Sequence, residues 1–218
     1  MSSRKAQQGF LLNPYIFNEH SIKFLLNAGP PITDASLQHL VITNNGVTTT
    51  TEQSLFGAAS VKFDNSSNYL SVSGSAFNFG SSDFRISCYV FFNEIATNNY
   101  HKLIVSHDDI SSTRGWLLLA NADNSGKITF SIMSGSTSYS VVGPIAQVGE
   151  WYEVVVARVG SVLSMTVNNS TYTSTSVAGI TFNSINQPLY VGALKNGLEL
   201  YKPATMYGYI QDLKIQVY

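Results

Sequence analysis

Thirteen carboxylate side chains are the main stock of acid–base chemistry in this 218-residue chain. Six are glutamates: Glu19, Glu52, Glu94, Glu150, Glu153 and Glu199. Cleaving a glycosidic bond takes two carboxyl groups on one face, about 5 Å apart when one is the nucleophile. Glu150 and Glu153 are three residues apart, and on an extended strand that spacing turns them to opposite faces. A nucleophilic serine would need a Gly-x-Ser-x-Gly elbow, and none occurs. His101 and the run His107-Asp108-Asp109 hold metal-ligand atoms, but zinc takes three or four ligands and no partner pair stands out. Both histidines read as hydrogen-bonded residues at strand ends. Cys88 is the sole cysteine, so no internal disulfide forms. Phe84, Ile86 and Val90 surround it at strand spacing, which reads as a small buried apolar residue. The expectation is a protein that is not an enzyme and has no cofactor.

Binding chemistry is better supplied. Over Asp83–Asn93, Phe84, Ile86, Cys88 and Val90 share one face of a strand, and Arg85, Ser87, Tyr89 and Phe91 share the other. Aromatic rings beside an arginine suit stacking on a sugar ring or on a neighbouring chain. Arg85, Tyr89 and Phe91 are therefore candidate contacts, with Tyr201 and Tyr207 behind them. Residues 1–20 read as an N-terminal arm that carries Arg4 and Lys5, then an apolar knot of Phe10, Leu11, Leu12 and Tyr15. Such an arm is a candidate docking segment, or it covers one end of its own domain.

Composition limits the partners. The chain is 44% hydrophobic and 11% charged, with net charge −1. It is too apolar for disorder, and its surface must be mostly neutral and polar. Its longest Lys/Arg run is Arg4-Lys5, too little to neutralise a row of phosphates or to hold an anionic bilayer. Neither nucleic acid nor membrane is an expected partner. There is no run of about 18 apolar residues and no usable apolar core after MSSRKAQQG, so synthesis in a bacterial cytoplasm without a signal peptide is expected. The three Asn-x-Ser/Thr matches, at Asn65, Asn168 and Asn169, read as chance in an Asn/Ser/Thr-rich chain.

The elements that would position these residues are strands. Trp151–Arg158 is almost continuously apolar, and 161–168 alternates: Leu163, Met165 and Val167 face one way, Val162, Ser164 and Thr166 the other. The first is expected to be a central strand covered on both faces, the second a half-wet one. Further strands are expected at 22–26, 38–43, 47–51, 60–63, 69–72, 83–93, 102–106, 116–120, 127–133, 139–142, 189–192 and 207–217. Asn44-Asn45-Gly46 is the clearest hairpin turn, and a short helical turn is possible near 54–58. About thirteen short strands at turn-punctuated spacing predict an all-β, two-sheet antiparallel sandwich over 21–218.

Four stretches carry a resemblance. LFGAASVKFDNSSNYLSV (55–72), FGSSDFRISCYV (79–90), GEWYEVVVARVG (149–160), and VG (191–192) followed by YGYIQDLKI (207–215) stand in the order of motifs of laminin G-like, concanavalin A-like domains. DAS (34–36) is similar to the start of those domains. The resemblance implies a jelly-roll sandwich. Some relatives hold a structural calcium at acidic positions. Two such positions are amidated here, so Asp34, Asp64 and Asp212 are read as turn-capping or salt-bridged residues and a calcium is not favoured. Glucanases on this sandwich carry Glu-x-Asp-x-Glu on a strand, a triplet absent here.

The resemblance also implies a setting. Such domains look like those of tailed-bacteriophage virion proteins. The expected function is then a capsid decoration or head accessory protein, a homo-oligomer in the virion that docks on the major capsid or tail protein through its arm and one sandwich face. The alternative is a carbohydrate-binding adhesion module of a tail or fibre that recognises host surface glycans.

Overall fold

The computed structural model describes residues 19–55, 59–64, 68–95, 102–110, 113–120, 125–174, 176–197 and 199–218. The candidate arm residues Arg4, Lys5, Phe10, Leu11, Leu12 and Tyr15, together with His101 and most of the expected helical turn, lie outside them. Among the described residues the only helices are two single 3-10 turns, at Glu19–Ser21 and Ser75–Phe77. Among the same residues no helix is long and apolar enough to cross a membrane.

The described residues form eighteen strands. They are β1 (Ile22–Asn27), β2 (Thr33–Asp34), β3 (Ile42–Asn45), β4 (Thr48–Thr50), β5 (Ser60–Asp64), β6 (Tyr69–Val72), β7 (Phe84–Phe92), β8 (Lys102–His107) and β9 (Trp116–Ala120). The second half holds β10 (Lys127–Ser134), β11 (Thr137–Ile145), β12 (Trp151–Val159), β13 (Val162–Val167), β14 (Ser170–Thr173), β15 (Leu189–Val191), β16 (Ala193–Asn196), β17 (Glu199–Thr205) and β18 (Tyr207–Val217). A nine-stranded antiparallel sheet runs β14-β13-β12-β7-β18-β1-β2, with β5 on β18 and β4 on β5. A seven-stranded sheet runs β11-β10-β9-β8-β15-β6-β3. The two stack as a sandwich, and β16–β17 forms a separate hairpin.

The period-2 pattern sets which side chains enter the core. On β7, Phe84, Ile86, Cys88 and Val90 are buried, while Arg85 is exposed and Ser87 and Tyr89 are half-buried. On β13, Leu163, Met165 and Val167 are buried. Aromatic rings fill the space between the sheets. Phe79 stacks on Phe84 at 4.0 Å and on Trp116 at 5.2 Å. The Trp116 indole donates to the Phe77 carbonyl at 2.9 Å, which satisfies its one polar atom inside the core.

Three expectations change. Asn44-Asn45-Gly46 does not close a hairpin: β3 pairs with β6 in the seven-stranded sheet, and β4 pairs with β5 in the other. The Asn44 amide accepts from Val47 N (2.8 Å) and donates to Val47 O (2.9 Å), bonds a hairpin partner would otherwise make. Gly46, at φ +80°, turns the chain across the edge of the sandwich. Second, β12 is not covered on both faces. Tyr152, Val154, Val156 and Arg158 are buried and the alternate residues are half-buried. β8, β9 and the short β15 are the strands covered on both faces, every residue of each being buried. Leu103, Leu117, Leu119 and Leu194 form a second small core outside the seven-stranded sheet, beneath β16–β17. Third, β2, β14, β16 and β17 were not expected from the pattern. β14 is short and polar, and β16–β17 owes its place to the leucines it covers.

Arg158 sits on the core-facing phase of β12 and is 5% exposed. Among the described residues no carboxylate pairs with it. Its guanidinium donates to the carbonyls of Ile180 (3.0 Å), Gly80 (3.3 Å) and Gly160 (3.2 Å) and lies 5.1 Å over the Phe182 ring. Fanned carbonyls and an aromatic face replace the water a buried cation would lose.

Candidate functional site

The run His107-Asp108-Asp109 lies where β8 ends, and its three side chains diverge into three jobs. His107 turns into the core between the rings of Phe77 and Trp116. Its Nε2 lies 3.1 Å from Asn78 Oδ1, an oxygen that also accepts from Ile185 N, which assigns the proton to Nε2. Burial pushes the imidazole down to about 4, with the Pro188 carbonyl beside the ring pulling the other way. Among the described residues no partner stands in bonding geometry to Nδ1.

Asp108 turns outward and is fully buried. It accepts from Arg114 Nε at 2.7 and 3.0 Å, from Gly115 N at 2.7 Å, and pairs with the terminal guanidinium nitrogen at 2.7 Å. Gly115 is obligatory at this turn: a Cβ there would overlap the His107 carbonyl. Asp109 pins the β16–β17 hairpin, accepting from Gly197 N (2.9 Å) and Gln187 Nε2 (3.1 Å). Ser106 tethers the hairpin's base by donating to the Ala193 carbonyl at 2.8 Å. Among the described residues no group of three metal-ligating side chains converges. Asp34 likewise caps a turn, accepting from Leu25 N, Ser36 N, Ser36 Oγ and Leu40 N at 2.8–2.9 Å.

The pinned hairpin raises a wall over the outer face of the seven-stranded sheet, and a groove of about 460 Å³ opens at its foot. Leu117 and Leu119 of β9 form the floor, with Ile110, Leu194 and Met133 around them. Tyr201 of β17 is in the wall. The Asp108–Arg114 pair closes one end, and Ser131 and Ser138 line the far side. A hydroxyl ladder continues outward: Ser131 and Ser140 lie 2.8 Å apart, Ser138 and Ser140 3.4 Å. Its volume is that of an ordinary small-ligand site, and its apolar bed with few polar groups is the usual make-up of one.

The other sequence candidates lie on the far side of the sandwich. Arg85 and Tyr89 line a smaller groove of about 320 Å³ on the nine-stranded sheet, with Ser87, Glu153, Asp212 and Lys214. Strand register makes this grouping: Glu153 faces Tyr89 from β12, and Lys214 faces Ser87 from β18. Burial first, then the nearby Glu153 and Asp212 carboxylates, raises the Tyr89 phenol. Its hydroxyl reaches Glu153 at 3.5 Å. Phe91 is on the same face but only 8% exposed, packed against Trp151 (5.5 Å) and Tyr209 (5.7 Å). Tyr207, half-buried, sits at that end of the sheet opposite Asp64. Tyr201 is thus separated from the other four. Glu150 precedes β12, and its carboxylate accepts from the Tyr152 hydroxyl at 3.2 Å.

Sequence reasoning missed Arg114, Leu117, Leu119 and Met133. The one available signal was WLLLA (116–120), apolar at every position, which a strand with a wet face does not need.

The concanavalin A-like lectin/glucanases superfamily matches residues 64–217, and the chain belongs to that family. No curated protein matches it in sequence. Among solved structures it is similar to the botulinum neurotoxin serotype G binding domain, with a TM-score of 0.66 at 15% identity over 88% of this chain and 46% of that one. It is also similar to the botulinum neurotoxin DC binding domain in complex with SialylT (0.65, 14%, 91% and 48%). A third is a structure of botulinum neurotoxin type C, whose ability to enter cells depends on interaction with two ganglioside molecules (0.63, 15%, 91% and 48%). The chain spans about half the length of these structures, and at such identity the likeness is one of fold.

Proposed function

We propose that this chain is a non-catalytic saccharide-binding domain whose site is the groove beneath Tyr201. The observation that carries the reading is the groove's make-up: an aliphatic floor, an aromatic wall, hydroxyls along one side and a fixed guanidinium at one end. The apolar face of a sugar ring needs the first two, and its hydroxyls need the others. Asp108 holds the Arg114 fork in one orientation, so its remaining N–H donors are organised before a ligand arrives. Membership of a lectin/glucanase family, and fold likeness to toxin domains described with SialylT and gangliosides, support a carbohydrate ligand. Tyr201→Ala should abolish a glycan-array signal while leaving urea unfolding within about 1 kcal/mol of wild type. Full glycan binding by that variant removes the groove from consideration. The Arg85–Tyr89 groove is the competing location, and Tyr89→Ala is its matching test.

A second reading is docking onto a phage capsid or tail lattice by a homo-oligomeric decoration protein. It draws on the apolar knot of the arm and on Val142, Ile145 and Val148, which stand exposed along β11 and its exit. A stable contact of that kind buries about 1,600 Å². Deleting residues 1–20 should release the protein from particles, and full occupancy without them refutes docking by the arm.

A further inference from the structure

Resting on the saccharide reading of the Tyr201 groove, we infer that its ligand is a neutral sugar bearing an N-acetyl group. Five aliphatic side chains, Ile110, Leu117, Leu119, Met133 and Leu194, line one groove. That is more apolar surface than a plain hexose can use. A hexose covers part of that bed with the C–H face of its ring, and ring-edge hydroxyls that reach the remaining side chains give up water without a replacement partner. An acetamido group reverses that mismatch. Its methyl lies on the floor, and its amide needs one acceptor and one donor at the rim.

The rim has both. A guanidinium carries five N–H donors, and Asp108 engages only the Nε hydrogen and one terminal nitrogen. The Arg114 side chain is 39% exposed, so donors remain for an amide carbonyl. Ser131, Ser138 and the Tyr201 hydroxyl can accept from an amide N–H.

Charge selects in the same direction. Among the described residues of the groove's lining Asp108 and Arg114 are the only charged side chains, and they pair with each other at 2.7 Å. An acidic sugar would meet a guanidinium whose charge the buried Asp108 already balances, so its carboxylate gains little over an uncharged carbonyl there. A free amino sugar would bring an ammonium to a carboxylate that already accepts from Arg114 and Gly115. Both charged classes lose where the uncharged amide gains.

The test is calorimetric and NMR titration of the full chain with triacetylchitotriose, cellotriose and the de-N-acetylated chitosan trimer. The acetylated trimer should bind about tenfold more tightly than cellotriose, one buried methyl and one added hydrogen bond per site being of that size. The amino trimer should bind no better than cellotriose. The methyl resonances of Leu117, Leu119 and Met133 should shift more with the acetylated ligand at saturation than with cellotriose. Met133→Ser, a change at a half-buried position, should cost the acetylated trimer more affinity than cellotriose and so erase most of the preference. Equal binding of acetylated trimer and cellotriose overturns this inference and leaves the saccharide site standing. Binding of none of the three overturns both. Binding that Tyr201→Ala leaves intact moves the site elsewhere and overturns both for this groove.

Discussion

Acidification from pH 7 to 4 should remove about 3 kcal/mol of stability through His107 alone. The imidazole is neutral in the fold and titrates at about 4, against an ordinary value of 6.5. A group whose folded value is depressed in this way takes up protons in the unfolded chain first. Its stabilising contribution is therefore complete above pH 6.5 and lost as pH falls toward 4, below which both states are protonated. Two and a half units at 1.36 kcal/mol each give about 3 kcal/mol, a large share of a typical domain's 5–15. The structural cause is the wedge of the ring between Phe77 and Trp116, with Asn78 Oδ1 serving Nε2 and, among the described residues, no bonded partner at Nδ1. The assay is urea unfolding at half-unit steps from pH 7 to 4 for wild type and His107→Phe. The carboxylates titrate alike in both proteins, so the difference isolates His107. The wild-type curve should fall by about 3 kcal/mol more than the variant's over that window. Parallel curves would refute the placement of the ring.

Arg158→Met should destabilise the fold by about 3 kcal/mol in urea unfolding, because the carbonyls of Gly80 and Ile180 lose a charged donor inside the protein; no change would mean water serves them equally well. Asp109→Ala should free the β16–β17 hairpin, which it pins through Gly197 N. Amide exchange over 193–205 should then quicken at least tenfold, with β7 and β12 unaffected, since a lost bond of about 1.4 kcal/mol acts locally. Burial pushes the Cys88 thiol up to about 12, so at pH 8 a thiol reagent should label it only on unfolding. Labelling at the free-thiol rate in native buffer would contradict its buried position.

Much of this architecture is legible in the residue pattern because a strand repeats every two residues and a sandwich buries one side of each. Phe84, Ile86, Cys88 and Val90 against Arg85, Ser87 and Tyr89 is such a pattern, and the structure places both sets as the alternation predicts. The same alternation holds in Leu163, Met165 and Val167. The candidate site is less legible. Tyr201 was singled out as an aromatic near the C-terminal loops, but nothing local brings it against WLLLA some 80 residues earlier.

Local sequence thus determined the strands, their inward faces and the class of sandwich, because alternation and turn chemistry act between near neighbours. Tertiary structure alone decided that Asn44–Gly46 crosses between sheets instead of closing a hairpin, and that β9 is dry on its outer face while β12 is not. It also decided that three adjacent residues, His107, Asp108 and Asp109, serve the core, the groove and the hairpin separately. Those outcomes depend on which distant strand or side chain comes to rest against each residue. Burial, hydrogen-bond partners and proton affinity are set by that contact, and a one-dimensional pattern does not contain it.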